Sequence, residues 1–214
     1  MYSYSMTPLE IFTALGAVRM NDHFVGVSGR HLSTYVAKDV IYPHTRVMAD
    51  LCLRIATRFT KDNVDVVAAP AFGGVILSQG VAYHLSSWQQ RFGEVLGVYA
   101  EKNGDAFIFR RGYDKLLANK RVLLVEDVLT TGGSVVRLAD AVRKCGGVVI
   151  GVGALVNRGD ITAQSLGVPR FEALLDLSLE TWEVGECPLC AFGVPVNTEF
   201  GHGAVFLETQ KKHV

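Results

Sequence analysis

Two adjacent carboxylates, Glu126 and Asp127, follow a short apolar run from Val122 to Val125. Directly after them comes a loop of Thr130, Thr131, Gly132, Gly133 and Ser134. Such a loop, where it opens a helix, is an anion site, because unpaired backbone N–H groups and the helix dipole both favour a phosphate. Glycine lets the backbone come close, and the three hydroxyls add donors. Two carboxylates at the end of a buried strand are costly unless something binds them, and sugar hydroxyls can. The combination suits a phosphorylated sugar. The stretch matches neither the P-loop nor the dinucleotide glycine pattern, so those readings have no motif behind them.

The surrounding chain must position these groups. Apolar residues at Val135, Val136, Leu138, Ala139 and Val142 place a helix after the loop, to about Cys145, closed by Gly146-Gly147. Upstream, Val64 to Ala69 reads as a strand buried on both faces. Pro70 stops it, and a loop, AFGG, leads into a helix from Val75 to about Leu85. Val95 to Ala100 is the next strand, and Asp105 to Arg111 alternates as an exposed one would. Asn103-Gly104 between them predicts a projecting hairpin. Val148 to Val156 is a further buried strand, followed by a short helical piece at Asp160 to Leu166 and a last strand near Phe171 to Leu177.

Nearer the N-terminus, Thr7 caps a first helix with Pro8 at its first position and Leu9, Ile11, Phe12 and Leu15 on one face; Gly16 ends it. Phe24 to Val27 and Thr34 to Ala37 read as short strands around a Ser28-Gly29 turn, and His44 to Arg58 as a helix. Strand and helix alternate, which predicts a mainly parallel twisted sheet flanked by helices, with ligands at the carboxyl ends of its strands. A single domain is expected: about 16–42 before the core, about 62–180 as the core, and about 181–214 as a tail.

The sequence has 214 residues, 49% of them hydrophobic and 20% charged, with a formal net charge of zero. That balance supplies a core and argues against disorder, and it gives no bulk attraction to nucleic acid or membrane. No apolar run spans a bilayer, and the first residues lack the basic and apolar segments of a secretion signal. Four cysteines without dense spacing point to a reducing, cytoplasmic setting. Cys187-Pro188-Leu189-Cys190 is half of a tetrahedral zinc site, and His202 is a candidate third ligand. Without a second such pair, a turn with packed thiols is the expected reading, and no protein-held metal is expected. Cys52 and Cys145 sit in helical patterns and are expected in the core.

VLLVEDVLTTGGS resembles the phosphoribosyl-pyrophosphate signature of type I phosphoribosyltransferases. Three flanking segments are similar to the orotate-specific branch of that family: FVGVSGRHLSTYVAKDVIY to its N-terminal hood, AEKNGDAFIFRRGY to its strand, lysine and hairpin lid, and LVNRGD to its strand-end arginine. The match runs from about Gly16 to Asp160. It implies Mg²⁺-dependent transfer of phosphoribosyl from phosphoribosyl pyrophosphate to orotate, with Mg²⁺ carried in by that substrate. A purine acceptor, or a non-catalytic sensor that keeps the sugar-phosphate site, are the alternatives.

The resemblance also implies roles. Glu126 and Asp127 bind the ribose hydroxyls, and Val128, Leu129, Thr130, Thr131, Gly132, Gly133 and Ser134 wrap the 5-phosphate, with Thr130 also near the base. Ala71, Phe72 and Gly73 form the pyrophosphate loop, where the family often has a strained peptide bond. Lys102 neutralises pyrophosphate and, with Asp127, is the expected catalytic residue. Arg158 pairs with the base, a task suited to a planar guanidinium. Partners are the two small-molecule substrates and, by the family's habit, a second copy of the chain in a homodimer. Arg110 and Arg111 on the hairpin are within the segment that could reach phosphate. Phe24 and Tyr35 are expected to pack rather than bind.

Overall fold

The computed structural model describes residues 5–26, 28–88 and 93–212. Along them run α1 (Pro8–Ala14), β1 (Val18–Val25), β2 (His31–Val36), α2 (Thr45–Arg58), β3 (Val66–Pro70), α3 (Gly73–Trp88), β4 (Leu96–Asn103) and β5 (Ala106–Ile108). Then come α4 (Tyr113–Leu117), β6 (Arg121–Leu129), α5 (Gly133–Lys144), β7 (Val148–Asn157), α6 (Ala163–Leu166), β8 (Phe171–Asp176), β9 (Thr181–Trp182), α7 (Pro188–Ala191) and α8 (Gly203–Lys212). The chain divides into two compact units, one holding His44–Leu177 and the other Ser5–Pro43 with Ser178–Val214. The segment before the core and the tail, expected as separate pieces, therefore build one unit.

The larger unit is a six-stranded sheet in the order β5-β4-β3-β6-β7-β8. Its five long strands are parallel neighbours, and only β5 runs antiparallel, against β4. The continuous apolar runs decide this architecture. Val66 to Ala69 and Val122 to Val125 are 0% exposed, which a strand reaches only when both faces are covered. Each valine or leucine among them contributes roughly 1.5–3 kcal/mol by leaving water. Alternation along the strands separates two cores. Val66, Ala68, Val122, Leu124, Val152 and Ala154 join α5 through Val135, Leu138 and Val142. Gly153, of opposite parity on β7, lies against Ile55 and Phe59 on the α2 side.

Several boundaries differ from the sequence expectation. Helix α3 begins at Gly73, two residues before Val75, so the AFGG loop already contributes to its first turn. The second hairpin strand was expected over Asp105 to Arg111 but ends at Ile108. Gly112, with φ of 83°, then opens the short α4, which the sequence reading missed. The acidic pair sits inside β6, which runs on to Leu129, rather than after the strand.

In the smaller unit β1, β2 and β9 form an antiparallel sheet, β9 being a two-residue strand paired at Thr181 and Trp182. Strand β1 begins at Val18, six residues before the expected Phe24, and tolerates the polar Asn21 through a register shift between Met20 and Phe24. Val27, assigned to that strand from sequence, lies outside the described residues. Thr7 and Glu10 form a reciprocal capping box at α1. Ile11 and Phe12 are buried as expected, but Leu9 is 42% exposed, so the apolar face is narrower than predicted. Phe24 packs against Tyr35 at 5.5 Å between ring centroids, the packing role expected of both.

Candidate active site

Parallel pairing of β4, β3, β6 and β7 brings their carboxyl ends to one edge of the sheet. Every residue assigned to substrate from the sequence lies at that edge. Lys102 is near the end of β4, Ala71 to Gly73 follow β3, Glu126 to Ser134 end β6 and open α5, and Arg158 follows β7. The register is specific. Leu129 pairs with Asn157, so Thr130 and Arg158 are the next residues on two hydrogen-bonded neighbours, and the Arg158 N–H donates to the Leu129 carbonyl at 2.7 Å.

A cavity of about 160 Å³ opens there, lined by Glu126 and by the continuous run from Val128 to Val135. Helix α5 starts at Gly133 without a side-chain cap and with no acid in its first turn. Its first amides therefore point outward with no intrahelical partner, at the positive end of the dipole. Gly132 holds φ of 73°, a backbone conformation that favours glycine, and a Cβ there would lie 2.7 Å from the end of the Leu166 side chain and displace it. Thr131 adds its hydroxyl oxygen 3.4 Å from the Gly133 N–H, a long contact that leaves the amide accessible to a stronger acceptor.

The two acids behave differently. Glu126, 8% exposed, lines the cavity, whereas Asp127, 2% exposed, does not. One Glu126 carboxylate oxygen accepts the Asp127 N–H at 3.1 Å, and one of Asp127 accepts the Val128 N–H at 2.6 Å. These backbone bonds offset part of the cost of burying the carboxylates. Glu126, the carboxylate that faces the cavity, offers oxygen donors of the kind a hard cation takes when it arrives with a phosphorylated substrate and keeps several waters.

Opposite them, Ala71 donates its N–H to the Ala100 carbonyl at 2.8 Å, which ties the loop after β3 to β4. The peptide bond between Ala71 and Phe72 is cis, and the Phe72 side chain is 92% exposed. Lys102 pairs across the hairpin with Phe107, its side chain on the exposed surface. Arg110 and Arg111 both engage Glu101, at 3.5 and 3.3 Å. Tyr99, followed by Glu101, raises the pKa of the Arg111 guanidinium above its ordinary value. The two arginines thus share a carboxylate partner, while Lys102 has the tip of the hairpin beside it.

Two supporting residues escaped the sequence reading. Asn157, 7% exposed, donates from Nδ2 to the Ile161 carbonyl at 3.1 Å and to Asp176 at 3.0 Å, and accepts the Ile161 N–H at 3.1 Å. It closes the loop that carries Arg158. Gly159 is the second: a Cβ there would lie 1.7 Å from the Thr130 carbonyl oxygen. Both sit in the LVNRGD segment, whose interest lay in its arginine alone.

A family model described as the phosphoribosyl transferase domain matches residues 43–170. The orotate phosphoribosyltransferase of Pelotomaculum thermopropionicum is 40% identical over 187 residues, covering 87% of this chain and 92% of the relative. That of Desulforamulus reducens is 38% identical over 187 residues, with the same coverage. Among solved structures, orotate phosphoribosyltransferase from Aeropyrum pernix superposes with a TM-score of 0.61 at 25% identity, covering 78% of this chain and 92% of that one.

Proposed function

The chain belongs to the phosphoribosyltransferase family, and from that premise we propose that it transfers phosphoribosyl from phosphoribosyl pyrophosphate to orotate, giving orotidine 5′-phosphate and pyrophosphate. The observation that carries the reading is the cavity between Glu126 and the uncapped start of α5. It offers acceptors for sugar hydroxyls on one side and amides for a phosphate on the other.

In the reaction a ring nitrogen of orotate supplies the electron pair that forms the new bond to ribose C1. The bond from C1 to the pyrophosphate oxygen breaks, and its electron pair leaves with pyrophosphate. The ring nitrogen gives up its proton to solvent as the bond forms, and because that N–H is acidic a strong general base is not needed. Positive charge develops on the sugar ring, where Glu126 and Asp127 tolerate it, and negative charge on the leaving group, where Lys102 stabilises it. Val128 to Ser134 hold the 5-phosphate, and Ala71, Phe72 and Gly73 hold pyrophosphate. Thr130 and Arg158, side by side at the ends of β6 and β7, take the base. When bound with the substrate, Mg²⁺ neutralises charge on the departing pyrophosphate. Closure of the β4–β5 hairpin keeps water from the reacting sugar.

No helix among the described residues is long and apolar enough to cross a membrane. A cytoplasmic homodimer is the setting the family resemblance supports. Turnover tests the proposal: purified protein given phosphoribosyl pyrophosphate, orotate and Mg²⁺ must release pyrophosphate, and chelation of Mg²⁺ must stop it. Substrate binding without any release would leave a sensor rather than an enzyme.

A further inference from the structure

The smaller unit carries a cluster that phosphoribosyl transfer does not use. His23 on β1, His31 on β2, Cys187 at the N-cap of α7 and Cys190 within α7 bring one ligand atom each within 4.8 Å of one another. His23, His31 and Cys187 are 1%, 0% and 3% exposed. Nε2 of His23 is 2.7 Å from Nδ1 of His31, 3.6 Å from the Cys187 sulfur and 3.7 Å from the Cys190 sulfur. Nδ1 of His31 is 3.3 Å from the Cys190 sulfur.

These separations approach those of a coordination tetrahedron. Zinc–nitrogen and zinc–sulfur bonds of ordinary length at tetrahedral angles put N and S about 3.6 Å apart, and two nitrogens about 3.4 Å apart. The three N···S distances straddle the first figure, and the N···N distance has to open by about 0.7 Å. The tautomer agrees. Nδ1 of His23 lies 2.7 Å from the Val194 carbonyl, which can only accept, so Nδ1 carries the proton and Nε2 presents its lone pair to the cluster. A ligating histidine with its other nitrogen bound to a carbonyl is the usual outer-shell arrangement. Nε2 of His31 is buried without a hydrogen-bond partner, and that ring is held edge-on to Phe206 at 4.9 Å.

We propose that His23, His31, Cys187 and Cys190 form a closed, structural zinc site. Two thiolates and two neutral imidazoles balance the charge of Zn²⁺, which makes burial of the set affordable, and four protein ligands leave no open position for catalysis. This replaces the packed-thiol turn expected from the sequence. It also reassigns the other half of the site, since His202 is not in the cluster and two histidines eight residues apart on paired strands are. The ligands lie 159 and 164 residues apart along the chain in the Cys190–His31 and Cys187–His23 pairs. The metal therefore staples the two chain segments that build this small unit, whose only β-pairing between those segments is the two-residue β9 among the described residues.

Metal analysis tests the site independently of any turnover. Protein purified under reducing conditions without added chelator is expected to hold about one zinc per chain, falling below about a tenth in Cys190→Ser and Cys187→Ser. Should a variant fold poorly, the wild-type chain answers alone: exchange into cobalt(II) is expected to give the intense visible bands of tetrahedral coordination with thiolate charge transfer. A reduced wild-type chain that carries no zinc and gives no such spectrum on reconstitution overturns the proposal. Full zinc retained in both cysteine variants overturns it as well.

Discussion

Gly159 lies so close to Thr130 that a single added methyl would stand 1.7 Å from the Thr130 carbonyl oxygen. The loop after β7 is thereby packed, without any side chain, onto the loop proposed to cradle phosphate. Gly159→Ala must push the two apart, and an ångström of misplacement at a reacting centre costs about 10²-fold in rate. The expected result is a kcat/KM for phosphoribosyl pyrophosphate lower by about that factor while the far-UV spectrum is kept. Unchanged kinetics would show that the two loops are not coupled.

Lys102 and the arginines beyond it should separate in their effects. Lys102 is exposed, so Lys102→Ala should leave stability within about 0.5 kcal/mol. It should lower kcat by about 10²-fold, the usual cost of losing one group that stabilises developing charge. Arg110 and Arg111 share Glu101. Alanine at Arg111 should cost less than about fivefold, the rate equivalent of an exposed ion pair. Steady-state kinetics of the two variants side by side checks the ranking; an Arg111 effect equal to that of Lys102 would move the lid chemistry onto the arginines.

How far the site was legible follows from these residues. Strand β6, its acids and the loop before α5 are contiguous, and contiguous patterns show in a sequence: an apolar run, then glycine and hydroxyls. The placement of Lys102 and Arg158 near strand ends was legible because each follows a recognisable apolar run, Lys102 inside β4 and Arg158 just after β7. Gly159 and Asn157 were not, because their work is done across space, on Thr130 and on Asp176. The same holds for β9, two residues with no periodicity of their own, which exist as a strand only because β2 lies beside them. His23 and His31 were hidden for a related reason. On separate strands they read as ordinary polar positions, and only the register of β1 with β2 brings them together. Cys145 was expected in the core, yet it is half-buried and packs against the core's margin, whereas Cys52 is buried as expected.

Gly132 offers a test of local strain. Alanine there must hold φ near 73° and meet Leu166 at 2.7 Å. The backbone alone costs about 1–2 kcal/mol for a residue with a Cβ. Gly132→Ala should be destabilising in urea by more than that, and pairing it with Leu166→Ala should give less than the sum of the two single losses. Strict additivity would place the cost entirely in the backbone.

Burial pushes the Cys52 thiol up to about 12 from an ordinary 9.0. The unfolded chain therefore loses this proton first as pH rises. The contribution is fully present below pH about 9 and is lost between about 9 and 12, with a slope of at most about 1.4 kcal/mol per pH unit. Urea midpoints from pH 8 to 10.5 should fall more steeply for the wild-type chain than for Cys52→Ala. Parallel curves would mean that the thiol ionises as readily folded as unfolded.

The proposed function assigns the base to Thr130 and Arg158, and a panel of bases measures the choice of acceptor directly. Protein with phosphoribosyl pyrophosphate and Mg²⁺ is offered orotate, adenine, hypoxanthine and guanine in turn, and pyrophosphate release is followed. Release with orotate, lost by at least about tenfold in Arg158→Ala as expected for a buried charge-assisted pair, is the predicted outcome. Release with a purine and none with orotate would contradict it.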